Sequence, residues 1–239
     1  MIYDIAGLRI KIENKYEYTT QFCKAYLSLD QISQIDLRVF VTEEEFLAEK
    51  RLSPNFPDGY IENVCLYRAI CRELPKFNRM LLHAAILEYK GKAYAFLGKS
   101  GTGKSTHTGL WLKYLPDAKI LNGDKPILEY KAGEFIAYGT PWMGKERLGY
   151  NGQATLCGLC FLEQAPNNQL DLLPLPQTAK RIFTQILFPS EKENAEKTLY
   201  LTDKLIAVVP AYLLKCTISK EAVQLSFEKM TGETFLPIE

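Results

Sequence analysis

Residues Gly98 to Ser105 read G-K-S-G-T-G-K-S, a complete G-x-x-x-x-G-K-[ST] phosphate-binding loop. Each residue type has a mechanical reason. Gly98, Gly101 and Gly103 permit the tight turns that bring backbone N–H groups against phosphate oxygens. Lys99, Ser100 and Thr102 fill the positions between them. Lys104 reaches the β- and γ-phosphates as a point charge, Ser105 offers its hydroxyl to a magnesium ion, and Thr106 follows at the start of a helix. Residues 98 to 106 are therefore the candidate nucleotide-binding set. The flanks agree: Tyr94-Ala95-Phe96-Leu97 is an apolar strand leading in, and a helix-like run from Ser105 to Tyr114 places a helix N-terminus at the phosphates.

Other residues offer chemistry beside the loop. Asp124 follows the apolar strand Ala118 to Leu121, where a carboxylate would hold the metal ion; the competing reading is a plain turn aspartate in N-G-D. His83 sits in an otherwise apolar strand, either as a satisfied core histidine or as a group that takes a hydroxyl proton or orients Asp124. His107 and Lys99 shape the field of the site. The Gly-flanked segment from Gly139 to Gly152 carries Lys145, Glu146 and Arg147, with Trp142 and Tyr150 nearby. Such a loop suits closure over a triphosphate, with Lys145 or Arg147 neutralising charge on the transferring group. A solvated charged turn is the alternative. Cys157-Gly-Leu-Cys160 has no second C-x-x-C to complete a tetrahedral zinc site, so these read as buried thiols.

Several elements must position these groups. Leu81 to Glu88 and Lys92 to Leu97 read as strands joined by Tyr89-Lys90-Gly91, and Pro126 to Tyr130 and Glu134 to Tyr138 as strands joined by Lys131-Ala132-Gly133. Hairpins on both sides of the loop predict an α/β (α+β-like) fold with a mixed, largely antiparallel sheet, rather than strands alternating with crossover helices. Ile2 to Glu13 reads as a strand turning near Gly7. Residues 42 to 50 read as a helix capped by Thr42, and Ile61 to Leu74 as a helix ending near Pro75. Beyond residue 165 the pattern gives helices near 177–187 and 191–206, a strand near Tyr212 to Thr217, and a last helix from Ser219. The expected organisation is one kinase-like domain over 1–239, with a nucleotide-binding core at about 80–165 and a helical C-terminal part at about 175–239.

Composition bounds the class. The chain has 239 residues, 47% hydrophobic and 24% charged, with a formal net charge of +1. That balance gives no electrostatic footprint for nucleic acid or an anionic membrane surface, and no apolar run is long enough to span a bilayer. No secretory signal is visible, and the six scattered cysteines fit reduced thiols, so a cytoplasmic enzyme is expected. The sequence is compatible with a homo-oligomer.

The stretch from Leu82-His83 through the loop to Asn122-Gly123-Asp124-Lys125-Pro126 resembles the catalytic core of the HPr kinase/phosphorylase family, whose nucleotide-binding fold is shared with ATP-dependent phosphoenolpyruvate carboxykinases. The order of His83, loop and Asp124 carries the resemblance over roughly residues 80 to 165. Tyr138 to Glu146 (Y-G-T-P-W-M-G-K-E) is similar to a segment of small HPr-kinase-like bacterial proteins. The resemblance implies transfer of the γ-phosphate of ATP, with Mg2+, to a hydroxyl on a peptide, a protein or a small molecule such as free serine. Asp124 and Ser105 would hold the metal. Two departures stand out. Where the family has two adjacent aspartates, the first position here is Gly123, and the arginine-glycine signature linked to phosphorolysis has no clear counterpart. The N-terminal 75 residues do not look like the regulatory domain of true HPr kinases, which argues against HPr itself as acceptor. A non-catalytic ATP-binding regulatory module and a partner-coupled NTPase are the alternatives.

Overall fold

Two-residue turns set the course of the chain from its start. The computed structural model describes residues 1–237. Its N-terminal part comprises β1 (Ile2–Ile5), β2 (Leu8–Glu13), α1 (Glu17–Phe22), β3 (Leu37–Phe40), α2 (Glu43–Leu52) and α3 (Asp58–Glu73). Next come β4 (Arg79–Leu81), β5 (Ala85–Tyr89), β6 (Lys92–Leu97), α4 (Lys104–Tyr114), β7 (Ala118–Asn122), β8 (Ile127–Lys131), β9 (Glu134–Tyr138) and β10 (Gln153–Gln164). The remainder supplies β11 (Gln169–Leu172), α5 (Leu175–Ile182), α6 (Lys192–Val208), β12 (Ala211–Cys216) and α7 (Lys220–Thr231).

Ala6 and Gly7, both at positive φ, close a tight β1–β2 hairpin whose turn matches the right-handed strand twist. β3 lies parallel on the far side of β2, giving a three-stranded sheet. Thr42 caps α2 as expected, and Glu45 completes a capping box by accepting from the Thr42 N–H. Leu66 and Ile70 of α3 and Leu74 just beyond it pack in one cluster with Tyr3, Ile5 and Ile10 of this sheet, and the indole of Trp142 joins the same cluster. Arg79 ties this part to the rest: it donates to the Ala6 carbonyl at 2.8 Å and forms a buried ion pair with Glu129 at 2.9 Å.

The main sheet runs β4-β8-β9-β10-β6-β5-β7, with β12 also on β10 and β11 on β12. It is mixed and largely antiparallel, as the hairpins predict: only β10–β6 and β10–β12 are parallel. β10 is the spine. Its start, Gln153–Thr155, pairs with β9, its end, Leu159–Gln164, pairs with β12, and β6 lies along the stretch between Thr155 and Phe161. Helices cover the faces. Trp111 of α4 is sealed among Tyr94, Phe96 and Phe227, joining α4 and α7 to one face, while Ile182, Leu201 and Leu205 of α5 and α6 pack in the other core.

Two expectations need correction. Leu81 to Glu88 is not one strand. β4 leaves to pair with β8 at the sheet edge, β5 sits between β6 and β7, and Leu82-His83-Ala84 is the break. The largely apolar sequence hides that break, because the residues flanking His83 are buried on both sides of it. The C-terminal part holds, besides the strand expected near Tyr212 to Thr217 (β12, on β10), an unexpected strand, β11, paired with it. Among the described residues no helix is long and apolar enough to cross a membrane.

Candidate functional site

Strand direction gathers the candidate residues. β5 is antiparallel to both β6 and β7, so β6 and β7 point the same way, and the loop after β6 and Asp124 after β7 emerge at one end of the sheet. His83 precedes β5 and arrives at that same end. β10 and β12 run parallel to β6, so their C-terminal ends join the group from the other side.

The loop from Gly98 to Gly103 joins β6 to α4, the strand–loop–helix order its sequence predicts. Gly98 is at φ +152, and a Cβ there would stand 2.6 Å from the Thr102 hydroxyl, which donates to the Lys99 carbonyl at 2.9 Å. Lys104 opens α4 and folds back, donating to the carbonyls of Gly98 at 2.8 Å and Lys99 at 3.4 Å. Burial depresses its pKa; nearby Asp124 acts to raise it and Lys125 to lower it further. All three groups therefore share one electrostatic field. Lys99, Ser100, Ser105 and Thr106 are exposed on the loop and first helical turn.

Asp124 is held by a buried polar network rather than by its own side chain. The Oδ1 of Asn122 accepts from the backbone N–H groups of Asp124 (2.9 Å) and Lys125 (2.7 Å). The Asn122 amide donates to the carbonyl and hydroxyl oxygens of Thr140, whose hydroxyl donates to the Lys125 carbonyl at 2.7 Å. Both side chains are fully buried, which makes this turn rigid. The N-G-D turn is thus made by Asn122, and the Asp124 carboxylate is left for other partners. His83 Nε2 lies 3.1 Å from its Oδ1 and Lys125 Nζ 3.1 Å from its Oδ2. Burial acts to raise the Asp124 pKa, but His83 and Lys125 outweigh it and hold the carboxyl below its ordinary range. His83 is fixed by its backbone N–H on the Gln185 carbonyl (2.7 Å), and Ala84 N–H donates to Asp124 O (3.1 Å).

The Gly139 to Gly152 segment lies against this turn through glycines, not through its cations. A Cβ on Gly144 would stand 3.1 Å from the Asp124 Cβ, Gly123 N–H donates to the Leu148 carbonyl at 3.0 Å, and Tyr150 N–H donates to Leu121 O at 3.3 Å. Arg147 lies over the ring of Phe22 in the N-terminal part, and Lys145 is exposed with no ion pair among the described residues. The cation at Asp124 is Lys125, which sequence reading passed over although it is the next residue. The missing first aspartate also has a physical cause. A Cβ at Gly123 would meet the backbone oxygens of Met143 at 2.7 Å and Leu148 at 3.2 Å, so the segment fills the space such a side chain needs. Gly123→Ala is therefore expected to destabilise the fold by about 1–3 kcal/mol, measured as a lower urea midpoint at unchanged slope. Equal stability would show that residues 143 to 148 move aside freely.

On the other side of the loop lies a cavity of about 410 Å³, between Gly101 to Gly103, the first turns of α4 and the ends of β10 and β12 at Gln164, Ala165 and Cys216 to Ile218. Strands 50 residues apart build it, so no local signal announced it. Cys157 and Cys160 lie in β10, where burial raises both thiol pKa values, and among the described residues no cluster of His, Cys, Asp and Glu forms a metal cage. Magnesium needs no such cage. It keeps water and phosphate ligands beside one or two protein oxygens, and Asp124 with the Ser105 hydroxyl is a donor set of that hard-oxygen kind.

No family model and no curated protein matches the chain. Among solved structures it matches the HPr(Ser) kinase/phosphatase from Coxiella burnetii at 15% identity, over 52% of this chain and 96% of that one, with a TM-score of 0.28. An alignment that loose decides neither activity nor substrate.

Proposed function

We propose that this protein is a kinase that transfers the γ-phosphate of magnesium ATP to a hydroxyl, on a serine of a peptide or protein or on a small molecule such as free serine. The carrying observation is that a phosphate loop and a charged carboxylate not consumed by its own turn emerge at one end of one sheet, with His83 and Lys125 on that carboxylate. Loop N–H groups and Lys104 bind the triphosphate, and the acceptor hydroxyl lies against Asp124. Its oxygen attacks the γ-phosphorus, the bond from phosphorus to the β–γ bridging oxygen breaks, and the hydroxyl proton passes to the Asp124–His83 pair. Magnesium, held by Asp124 and Ser105, would neutralise charge on the phosphates. Lys125 supplies the protein's second cation there, in place of Lys145 or Arg147.

The second reading, an ATP-binding regulatory module without transfer, draws on the filled space at Gly123, which leaves a single carboxylate at this position. The test is transfer from γ-labelled ATP with magnesium into a lysate of the source organism, separated by size, with Lys104→Ala as control. Lys104-dependent label in the macromolecular or small-molecule fraction is expected and identifies the acceptor class. Steady release of phosphate to water alone indicates an NTPase coupled to a partner. Binding without turnover or transfer leaves the regulatory module.

A further inference from the structure

We propose that the cavity beside the phosphate loop holds the nucleobase, and that Nδ1 of His107 accepts a hydrogen bond from its exocyclic amine, so that the site selects 6-aminopurine over 6-oxopurine nucleotides. This rests on the triphosphate occupying the loop as proposed above.

Sheet order gives the direction of the bound nucleotide. β6, which carries the loop, has β5 and β7 on one side and β10 and β12 on the other. His83, Asp124 and Lys125 come from the β5–β7 side, so the γ-phosphate end belongs there. The cavity is on the β10–β12 side and begins at Thr106 and His107, one helical step past Ser105. A nucleotide with its γ-phosphate at Lys104 and Asp124 therefore extends its nucleoside into this cavity. About 410 Å³ falls within the usual range for small-molecule pockets. Leu110, Ala165 and Ile218 give it the apolar walls a planar base needs.

The hydrogen bonds around His107 favour one tautomer. Its Nε2 lies 3.0 Å from the hydroxyl oxygen of Ser226 in α7. That hydroxyl donates its only proton to the Val223 carbonyl (3.0 Å) and already accepts from the Trp111 indole N–H (2.9 Å). With that proton on the Val223 carbonyl, Nε2 carries the imidazole proton and donates, and Nδ1 is left as an acceptor. Burial holds the imidazole neutral by pushing its pKa down to about 4. Nδ1 has no hydrogen-bond partner among the described residues, yet it is not among the sealed, unpaired polar atoms, which are the Tyr26 hydroxyl, Gln185 Oε1 and Asn194 Oδ1. The open space that His107 borders is this cavity, and Phe96, 5.0 Å from the imidazole centre, locks the ring orientation. A fixed acceptor in an apolar pocket favours an amine and repels a carbonyl oxygen. A purine 6-amino group satisfies it and a 6-oxo group does not.

ATP and ITP share ribose and triphosphate and differ along the purine C6–N1 edge (6-amino with a bare N1 against 6-oxo with N1–H), so their binding by the full chain is the direct probe. ATP is expected to bind about tenfold more tightly, the worth of one hydrogen bond to a buried acceptor otherwise left unpaired. His107→Phe keeps a ring against Phe96, removes both nitrogens and should bring the two affinities within about twofold. A measurement on the unaltered protein guards against misfolding of that variant. The chain has two histidines, so 15N-histidine spectra are readily assigned, and the His107 Nδ1 resonance should move on adding ATP but not ITP. Equal, Lys104-dependent affinities for ATP and ITP, or an unmoved Nδ1 resonance, would overturn the base assignment while leaving the phosphate site standing. Failure of both nucleotides to bind would remove the phosphate site and this inference together.

Discussion

Lys104→Ala is expected to weaken ATP binding by about a hundredfold and to remove transfer altogether, with the fold unchanged. The magnitude follows from what the side chain does. Its ammonium donates to two loop carbonyls and contributes nothing to either core. Phosphate oxygens would replace those carbonyls with charge-assisted bonds of about 1.5–3 kcal/mol, and the upper figure corresponds to about two decades in Kd. Transfer is expected to fall further, because in the proposed reaction charge builds on the leaving β–γ bridging oxygen in the transition state, where the lysine is proposed to neutralise it. Burial depresses the lysine's pKa by penalising its charged form, a penalty that an arriving anion offsets. Stability is expected to hold, since alanine is the better helix former at this first position of α4. Calorimetric titration and a thermal melt of the same sample test both halves. Undiminished binding would remove the phosphate-site assignment, and a collapsed melt would show that the lysine is structural.

What the sequence disclosed and what it hid divide along contact distance. The phosphate loop with its strand and helix, the β5–β6 and β8–β9 hairpins and the Thr42 cap all depend on residues within a few positions of one another, and each formed as expected. The sheet's antiparallel character followed from those short connections. Hidden were pairings between distant segments. β4 crosses the sheet to reach β8, β12 joins β10 from 50 residues away, and β3 and β11 are four-residue strands that only their partners define. The site divides in the same way. Asp124 and His83 were visible as residue types, and their 3.1 Å approach required the break at Leu82–Ala84. Lys125 escaped notice because its meaning depends on which way the turn faces, and Asn122 decides that. The emphasis on Lys145 and Arg147 came from charge between glycines, but Arg147 has found the Phe22 ring instead.

Asp124→Asn separates binding from chemistry at this turn. The variant keeps the shape of the side chain and one oxygen, for either His83 or Lys125, and the Asn122–Thr140 network that builds the turn is untouched. Nucleotide binding without magnesium is expected within about threefold of the original, since a negative charge near the phosphates has been removed and no donor lost. Transfer is expected to fall by about a thousandfold or more, because the group proposed to hold the metal and receive the hydroxyl proton no longer carries charge. Stability adds an independent check. The folded-state pKa of Asp124 is depressed, so its charge contributes stability that is complete above the ordinary carboxylate range and is lost as pH falls through the folded value. The original protein should therefore lose its advantage over the variant as pH drops below that range, read from urea midpoints at successive pH values. An unchanged transfer rate would mean that Asp124 only neutralises Lys125 and His83. An advantage that grows on acidification would contradict the ion-pair geometry itself.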